Sequence, residues 1–300
     1  MKLGMIGLGR MGAAMTERLV RGGHRVVGFD RTQDKRELVE AKGAESAASL
    51  AALVAMLEIP RTLWLMVPAE VIDPIISELL PLLAAGDTLV DGGNSNYKDT
   101  LRRAQRLADK QIDYVDCGTS GGVWGLNEGY SLMVGGDATV VERLRPIFET
   151  LAPRAAEGWG HVGPVGSGHF TKMVHNGIEY GLMQAYAEGF SIMQGKSEFG
   201  LNLHQVAEIW RYGSVVRSWL LELTSAALDK NPTMEGIAPW VDDSGEGRWT
   251  VTEAIDLDIP APVITLSLLA RLRSRDADCF SDKLLSAMRN EFGGHAIKKR

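Results

Sequence analysis

A lysine, a histidine, an asparagine and a glutamate stand at i, i+3, i+4 and i+7 within the stretch from Gly163 to Phe190: Lys172, His175, Asn176 and Glu179. If the stretch is helical from about Gly168, the four side chains share one face. An amine and a carboxylate on one stripe can act as base and acid on a single substrate, with the imidazole and the amide beside them as hydrogen-bonding groups. The remaining positions (Met173, Val174, Gly177, Ile178, Gly181, Leu182 and Ala185) are apolar or small, as in a helix packed over most of its circumference. A solvated face with a Lys to Glu ion pair is the plainer explanation of such a stripe. The flanking apolarity, and the glycines before the helix that let a backbone or a ligand come close, favour a site.

The elements that must position this stripe begin at the start of the chain. Residues 3–7 read as a short buried strand, and Gly7, Gly9 and Gly12 of GLGRMG follow at once, opening a helix that runs to about Gly22. This G-x-G-x-x-G arrangement allows a tight turn, a close approach of backbone to a pyrophosphate, and close packing of helix on strand. Arg25 to Phe29 reads as a second strand and ends in Asp30, about 20 residues on, where an acid meets the adenosine ribose. A carboxylate accepts from a ribose 2'-hydroxyl and repels a 2'-phosphate, so NAD is expected over NADP; Arg31 could stack on adenine or tolerate the phosphate. The cofactor-binding set is Gly7, Leu8, Gly9, Arg10, Met11, Gly12, Asp30 and Arg31, with Val67 and Asn94 at later strand ends.

Further strands are expected at Leu63 to Val67, Thr88 to Val90, Asp113 to Asp116 and Tyr130 to Val134, with helices at about 49–57, 70–83, 98–110 and 138–151. The alternation predicts an α/β, Rossmann-type, doubly wound and mostly parallel sheet, with ligands at the carboxyl ends of its strands. Two strand-end segments, Asp91 to Ser95 and Gly118 to Gly122, carry small side chains and exposed amides suited to carboxylates or hydroxyls; ordinary turns use the same residues. From Gly168 onward long apolar-periodic segments take over (168–195, 202–212, 214–229, 262–273 and 280–291), with a loop at 232–249. Two domains follow: residues 1–165, which bind the dinucleotide, and residues 166–300, an all-α C-terminal domain.

Composition bounds the function. A chain of 300 residues with 45% hydrophobic and 23% charged residues is ordinary for a globular protein. A net charge of -6 argues against nucleic acid, and no run approaches a membrane span. The opening MKLGMIGLGRMG reads as strand and turn rather than as a signal segment. Cys117 and Cys279 are too few for a disulfide framework and point to a reducing cytoplasm. His161, His169 and His175, spaced by eight and six, make no metal-ligand pattern, so no metal is expected, and lone histidines of this kind read as turn or surface residues.

Together GLGRMG, DGGNSNYKDT, GTSGG and above all KMVHNGIEY resemble the 6-phosphogluconate dehydrogenase family, the decarboxylating enzymes, in the shorter NAD-using form. RNEFGGH near the end extends the resemblance over nearly the whole chain. The resemblance implies oxidative decarboxylation of 6-phosphogluconate to ribulose 5-phosphate and carbon dioxide in the pentose phosphate pathway. It implies that Lys172 is the base at the substrate's 3-hydroxyl and Glu179 the acid that protonates C1 of the enediol. Asn94, Ser120, Gly121, Gly122, His175 and Asn176 match positions that hold the carboxylate and hydroxyls; Tyr180, Arg271 and Arg289 match phosphate contacts, and His295 a terminal substrate contact. In the family the terminal pair reaches into a partner subunit, which implies a homodimer or homotetramer. Longer members carry a lysine where Ser244 stands, which leaves open whether Arg248 compensates at the phosphate, and they carry a second helical repeat that this chain lacks.

Two rival readings remain. Dehydrogenases of the 3-hydroxyisobutyrate or tartronate semialdehyde type share the lysine without decarboxylation, but typically continue into K-x-x-N-N, whereas His175-Asn176 and Glu179-Tyr180 stand here. A protein that binds NAD without turnover has no need of an acid and a base on one stripe.

Overall fold

The computed structural model describes residues 1–293 and 296–298. Its elements are β1 (Lys2–Ile6), α1 (Arg10–Arg21), β2 (Arg25–Phe29), α2 (Gln33–Glu40), β3 (Glu45–Ser46), α3 (Leu50–Ala55), β4 (Thr62–Leu65), α4 (Ala69–Leu79), β5 (Thr88–Asp91), α5 (Tyr97–Ala108), β6 (Asp113–Ser120), α6 (Gly125–Glu128), β7 (Ser131–Gly135), α7 (Ala138–Leu151) and β8 (Trp159–Gly163). Helices α8 (Ser167–Gly195), α9 (Leu203–Trp210), α10 (Trp219–Lys230), α11 (Glu246–Asp256), α12 (Pro262–Ser274) and α13 (Phe280–Gly293) follow.

The strands form one sheet in the order β3-β2-β1-β4-β5-β6-β7-β8. All neighbours are parallel except β6 and β7, which pair antiparallel. Successive side chains point to opposite faces, so each central strand feeds two cores. Leu3, Met5, Trp64, Val90, Val115 and Cys117 meet Met15 and Leu19 of α1 and Leu144 and Phe148 of α7 on one face. Leu63, Leu65, Leu89 and Tyr114 meet Leu53 of α3, Ile72 and Ile76 of α4 and Leu107 of α5 on the other. Side-chain caps fix several helix starts: Ser49 accepts from Ala52 N, Asn96 from Lys98 N, and Asp137 from Thr139 N and Val140 N.

The α/β sheet followed by an all-α segment is the architecture expected from the sequence, with local differences. Strand β6 runs to Ser120 rather than stopping at Asp116, because Cys117 to Ser120 pair with Ser131 to Val134 of β7. Helix α2, the two-residue β3 and the edge strand β8 were not anticipated; β8 is interrupted by Gly160 and closed by Gly163, which mask its period. In the segment read as a loop over 232–249, helix α11 begins at Glu246.

Two compact units, Met1–His175 and Asn176–Arg300, divide within α8, whereas the expected boundary at 165/166 falls just before that helix. The second unit has its own buried cluster, Phe190, Ala207, Leu221 and Leu228, with Tyr186, Met193, Leu203 and Trp210 packed against it. Among the described residues no helix is long and apolar enough to cross a membrane.

Candidate active site

The dinucleotide loop joins β1 to α1. Gly7 holds φ +94°, and its amide donates to Phe29 O at 2.8 Å, so the loop is pinned to the end of β2. A Cβ on Gly12 would lie 1.9 Å from Gly7 O, whereas one on Gly9 would meet nothing within 4 Å. Gly12 thus permits the tight packing of helix on turn, and Gly9 leaves the approach to the backbone open. Leu8 is buried in the core, Met11 packs partly against it, and Arg10 is exposed at the helix start.

Asp30 is fastened to this loop. Its Oδ2 accepts from Leu8 N at 2.9 Å, its Oδ1 from Thr32 N at 2.9 Å, and Lys35 Nζ lies 3.4 Å from Oδ2. Burial alone would raise its pKa, but the Thr32 and Leu8 amides and Lys35 outweigh burial, and the group sits below the usual carboxylate range. Arg31 is exposed beside it, and Arg36 donates to Asp30 O at 2.7 Å.

Val67 lies between the glycine loop and the Asn94 loop. Its Cγ1 is 2.6 Å from where a Cβ on Gly7 would stand, and its carbonyl is 2.8 Å from the equivalent point on Gly93. Asn94 is exposed at the tip of a loop held from within by Asp91. That fully buried carboxylate accepts from Gly93 N at 3.1 Å, Ser95 Oγ at 2.8 Å and Tyr114 OH at 2.9 Å. Arg103, also buried, donates to Ser95 Oγ at 3.2 Å and to Asp73 at 3.0 Å. Arg102 foremost, then Arg103, hold Asp73 at about 2.

Lys172 is 6% exposed on α8. A Cβ on Gly118 of β6 would lie 2.4 Å from Lys172 Cβ, so only glycine lets the helix seat there. Ser120 ends β6, and Gly121 and Gly122 follow with φ +125° and +53°. The glycine loop, Asp30, Val67, Asn94, Ser120 to Gly122, Lys172 and His175 all belong to the first unit. Asn176, Glu179 and Tyr180 continue along α8.

His169, read as a turn or surface histidine, is instead 2% exposed, because α8 begins against the sheet. Its Nδ1 is 2.7 Å from Thr100 Oγ1. Asp116 was passed over as the last residue of a strand. It accepts from Gly166 N at 2.7 Å and His169 N at 2.8 Å. Neither role has a signal in local sequence, since each depends on the distant start of α8.

In the second unit Arg271 stacks on Tyr180, its guanidinium carbon 3.5 Å from the ring centre, and donates to Asp242 O at 2.8 Å. Tyr180 OH is 3.2 Å from Ser244 Oγ and accepts from Ser244 N at 3.2 Å. Gly247 makes room for the ring, for a Cβ there would be 2.4 Å from Tyr180 Cε2. Arg248 is ion-paired with Asp243. Asp243 sits below its ordinary pKa: burial opposes this, while the Gly245 amide and Arg248 overcome it. Arg289 is exposed on α13 beside a cavity of about 570 Å³ lined also by Asp282, Leu285 and Ser286. His295 lies outside the described residues. Among the described residues no three His, Cys, Asp or Glu side chains are grouped to hold a metal ion.

Residues 2–160 match the NAD binding domain of 6-phosphogluconate dehydrogenase, and residues 168–279 match the C-terminal domain of 6-phosphogluconate dehydrogenase. The Bacillus subtilis (strain 168) protein YqeC, provisionally named a 6-phosphogluconate dehydrogenase, is 43% identical over 300 residues covering 100% of both chains. An NAD(+)-dependent, decarboxylating 6-phosphogluconate dehydrogenase of Haloferax volcanii is 42% identical over 302 residues, covering 100% of this chain and 99% of its own. A solved structure of Plasmodium falciparum 6-phosphogluconate dehydrogenase, described in apo form, with its cofactor NADP+ and with its substrate 6-phosphogluconate, is 28% identical with a TM-score of 0.85. It covers 100% of this chain, which spans 66% of that one. The chain belongs to the 6-phosphogluconate dehydrogenase family.

Proposed function

We propose that this dehydrogenase oxidatively decarboxylates 6-phosphogluconate to ribulose 5-phosphate and carbon dioxide, with NAD as the preferred oxidant. The observation that carries the reading is Lys172: a buried amine against Gly118 on the helix that also bears His175, Asn176 and Glu179.

The glycine loop fits a dinucleotide. Gly9 leaves open space, and Asp30, ionised and fixed by Leu8 N, suits a ribose 2'-hydroxyl. NAD, when bound, supplies the hydride acceptor. Lys172, neutral beforehand, takes the proton of the 3-hydroxyl as hydride leaves C3. The resulting ammonium then faces the 3-keto oxygen and stabilises the negative charge that gathers there as the bond from C2 to the carboxylate breaks. Glu179 is the acid that gives a proton to C1 of the enediol left behind. Asn94, Ser120, Gly121, Gly122, His175 and Asn176 hold the carboxylate and hydroxyls, and Tyr180, Arg271 and Arg289 the phosphate, with His295 at the chain end. Arg248, occupied by Asp243, is the weaker candidate to replace the lysine for which Ser244 stands.

The reading includes a cytoplasmic homodimer or homotetramer. Its support is the helical unit's exposed apolar side chains, among them Ile192, Val215 and Phe280.

The test is reduction of NAD and of NADP with 6-phosphogluconate, followed by reduced-nicotinamide absorbance while released carbon dioxide is trapped. Equimolar carbon dioxide with faster reduction of NAD is the expected result. Reduction without carbon dioxide would instead make the protein a simple 3-hydroxy acid dehydrogenase, and no reduction with either cofactor would leave a binding protein.

A further inference from the structure

The neighbouring strands β5 and β6 carry aspartates in register: Asp91 pairs with Asp116. Both are fully buried, and each lies on the face of the sheet that packs against α5. A buried carboxylate is costly unless its oxygens are bonded, so its partners reveal what it fixes. Asp91 fixes the Asn94 loop through Gly93 N and Ser95 Oγ. Asp116 does the corresponding work for α8: its two oxygens accept separately from Gly166 N and His169 N, amides at the helix start that have no intrahelical acceptor.

We infer that Asp116 is the positioning residue for Lys172, acting through the first turn of α8. This rests on reading Lys172 as the base.

The seat admits one register. A Cβ on Gly168 would lie 2.5 Å from Met133 O and 2.6 Å from Asp116 O, and one on Gly135 would lie 2.5 Å from Asp116 Oδ1 and 2.7 Å from Gly168 N. With Gly118 against Lys172 Cβ, three glycines bring the helix onto β6 and β7 backbone to backbone. Van der Waals contact alone lets such a smooth contact slide; the paired hydrogen bonds to one carboxylate do not. Lys172 stands three residues after His169, so any displacement of the His169 amide carries to Lys172 through one rigid turn. The His169 ring adds a second anchor at Thr100 Oγ1, one turn into α5 and directly after the Asn94 loop. Asp91, Asp116, Thr100 and His169 thus hold the Asn94 loop and the lysine in one frame. A misplacement of about 1 Å at a reacting group costs on the order of 10²-fold in rate.

The test compares wild type with Asp116→Asn, which keeps the shape and one acceptor but turns an amide N–H toward a donor. Steady-state kinetics with C3-deuterated and ordinary 6-phosphogluconate accompany hydrogen exchange of residues 164–173 and, in the substrate-free protein, the rate at which acetic anhydride modifies Lys172. Faster local exchange, an altered Lys172 labelling rate, kcat lower by about 10²-fold, an NAD KM within about twofold and a larger isotope effect are expected. An unchanged exchange and labelling pattern, or a loss of activity matching only the unfolded fraction, would overturn the inference. Should Asp116→Asn not fold, Thr100→Val removes the second anchor alone and is expected to give the same split, smaller. If the wild type fails to oxidise 6-phosphogluconate the catalytic reading falls, while exchange and labelling still decide the positioning.

Discussion

The two units of this chain reach order by different means. In the first, each central strand is buried on both faces and the candidate residues are held by backbone: Gly118 against Lys172, Leu8 N on Asp30, Gly93 N on Asp91. In the second, the buried cluster comprises Phe190, Ala207, Leu221 and Leu228, while Val215 stands 99% and Ile192 75% exposed. Its candidate residues are held by side chains together with loop backbone: Arg271 stacks on Tyr180 and donates to Asp242 O, and the Tyr180 hydroxyl meets Ser244 Oγ and accepts from Ser244 N. Backbone framing sets position closely and tolerates little change in the framed residue's neighbours. Side-chain framing is adjustable and cheaper to alter. On the proposed function the base Lys172 and the Asn94 and Ser120 contacts lie in the closely framed first unit, and the acid Glu179 and the phosphate contacts Tyr180 and Arg271 in the second.

The largest effect expected from this contrast is at Lys172. Lys172→Met keeps the bulk against Gly118 and removes the amine. Turnover should fall roughly 10³-fold, within the range for loss of a general base, while NAD affinity, measured by quenching of intrinsic fluorescence, stays within about twofold because the glycine loop and Asp30 are untouched. Loss of NAD binding in the same variant would break the separation between the two tasks. Arg271→Met should act next in size and differently. The stack on Tyr180 is partly preserved but the charge is gone, so KM for the phosphorylated substrate should rise roughly 10- to 100-fold, the equivalent of one charge-assisted hydrogen bond, with kcat little changed. A fall in kcat without a change in KM would place Arg271 near the chemistry and blur the division.

What was legible in the sequence divides along the same line. The glycine loop and Asp30 could be read because their spacing is local: one strand, one turn and the next strand carry the entire arrangement. The helix bearing Lys172 could be read from its period, and it begins one residue before the expected start. Asp116 could not be read, because an aspartate closing a strand looks the same whether it faces water or the start of a helix fifty residues later. The same holds for His169, whose partner Thr100 is sixty-nine positions away. Helix α11 was hidden by the glycines of Asp243 to Gly247, which read as loop although Gly247 is there to admit the Tyr180 ring. Whether Arg248 compensates for the lysine at Ser244 was open in the sequence, because its pairing with Asp243 is set by the fold of the turn.

The smallest effect, and the finest test of the first unit, is at Lys35. On the proposed function Asp30 selects against a 2'-phosphate by its charge, yet Lys35 Nζ stands 3.4 Å from the same Oδ2 that Leu8 N holds. The lysine therefore offsets part of the repulsion that would exclude NADP. Its side chain is 44% exposed, so solvent screens the pair, and an exposed ion pair is worth at most about 1 kcal/mol, a factor of about five. Lys35→Met should raise the ratio of kcat/KM for NAD over NADP by no more than that, and added salt should shrink the difference between variant and wild type. Asp30 itself stays in place in the variant, since the Leu8 and Thr32 amides fix its two oxygens without help from the lysine. A ratio that falls instead would mean that Lys35 orients the carboxylate rather than offsetting it. Selectivity would then rest on an adjustable side chain, and the first unit would share the adjustable framing of the second.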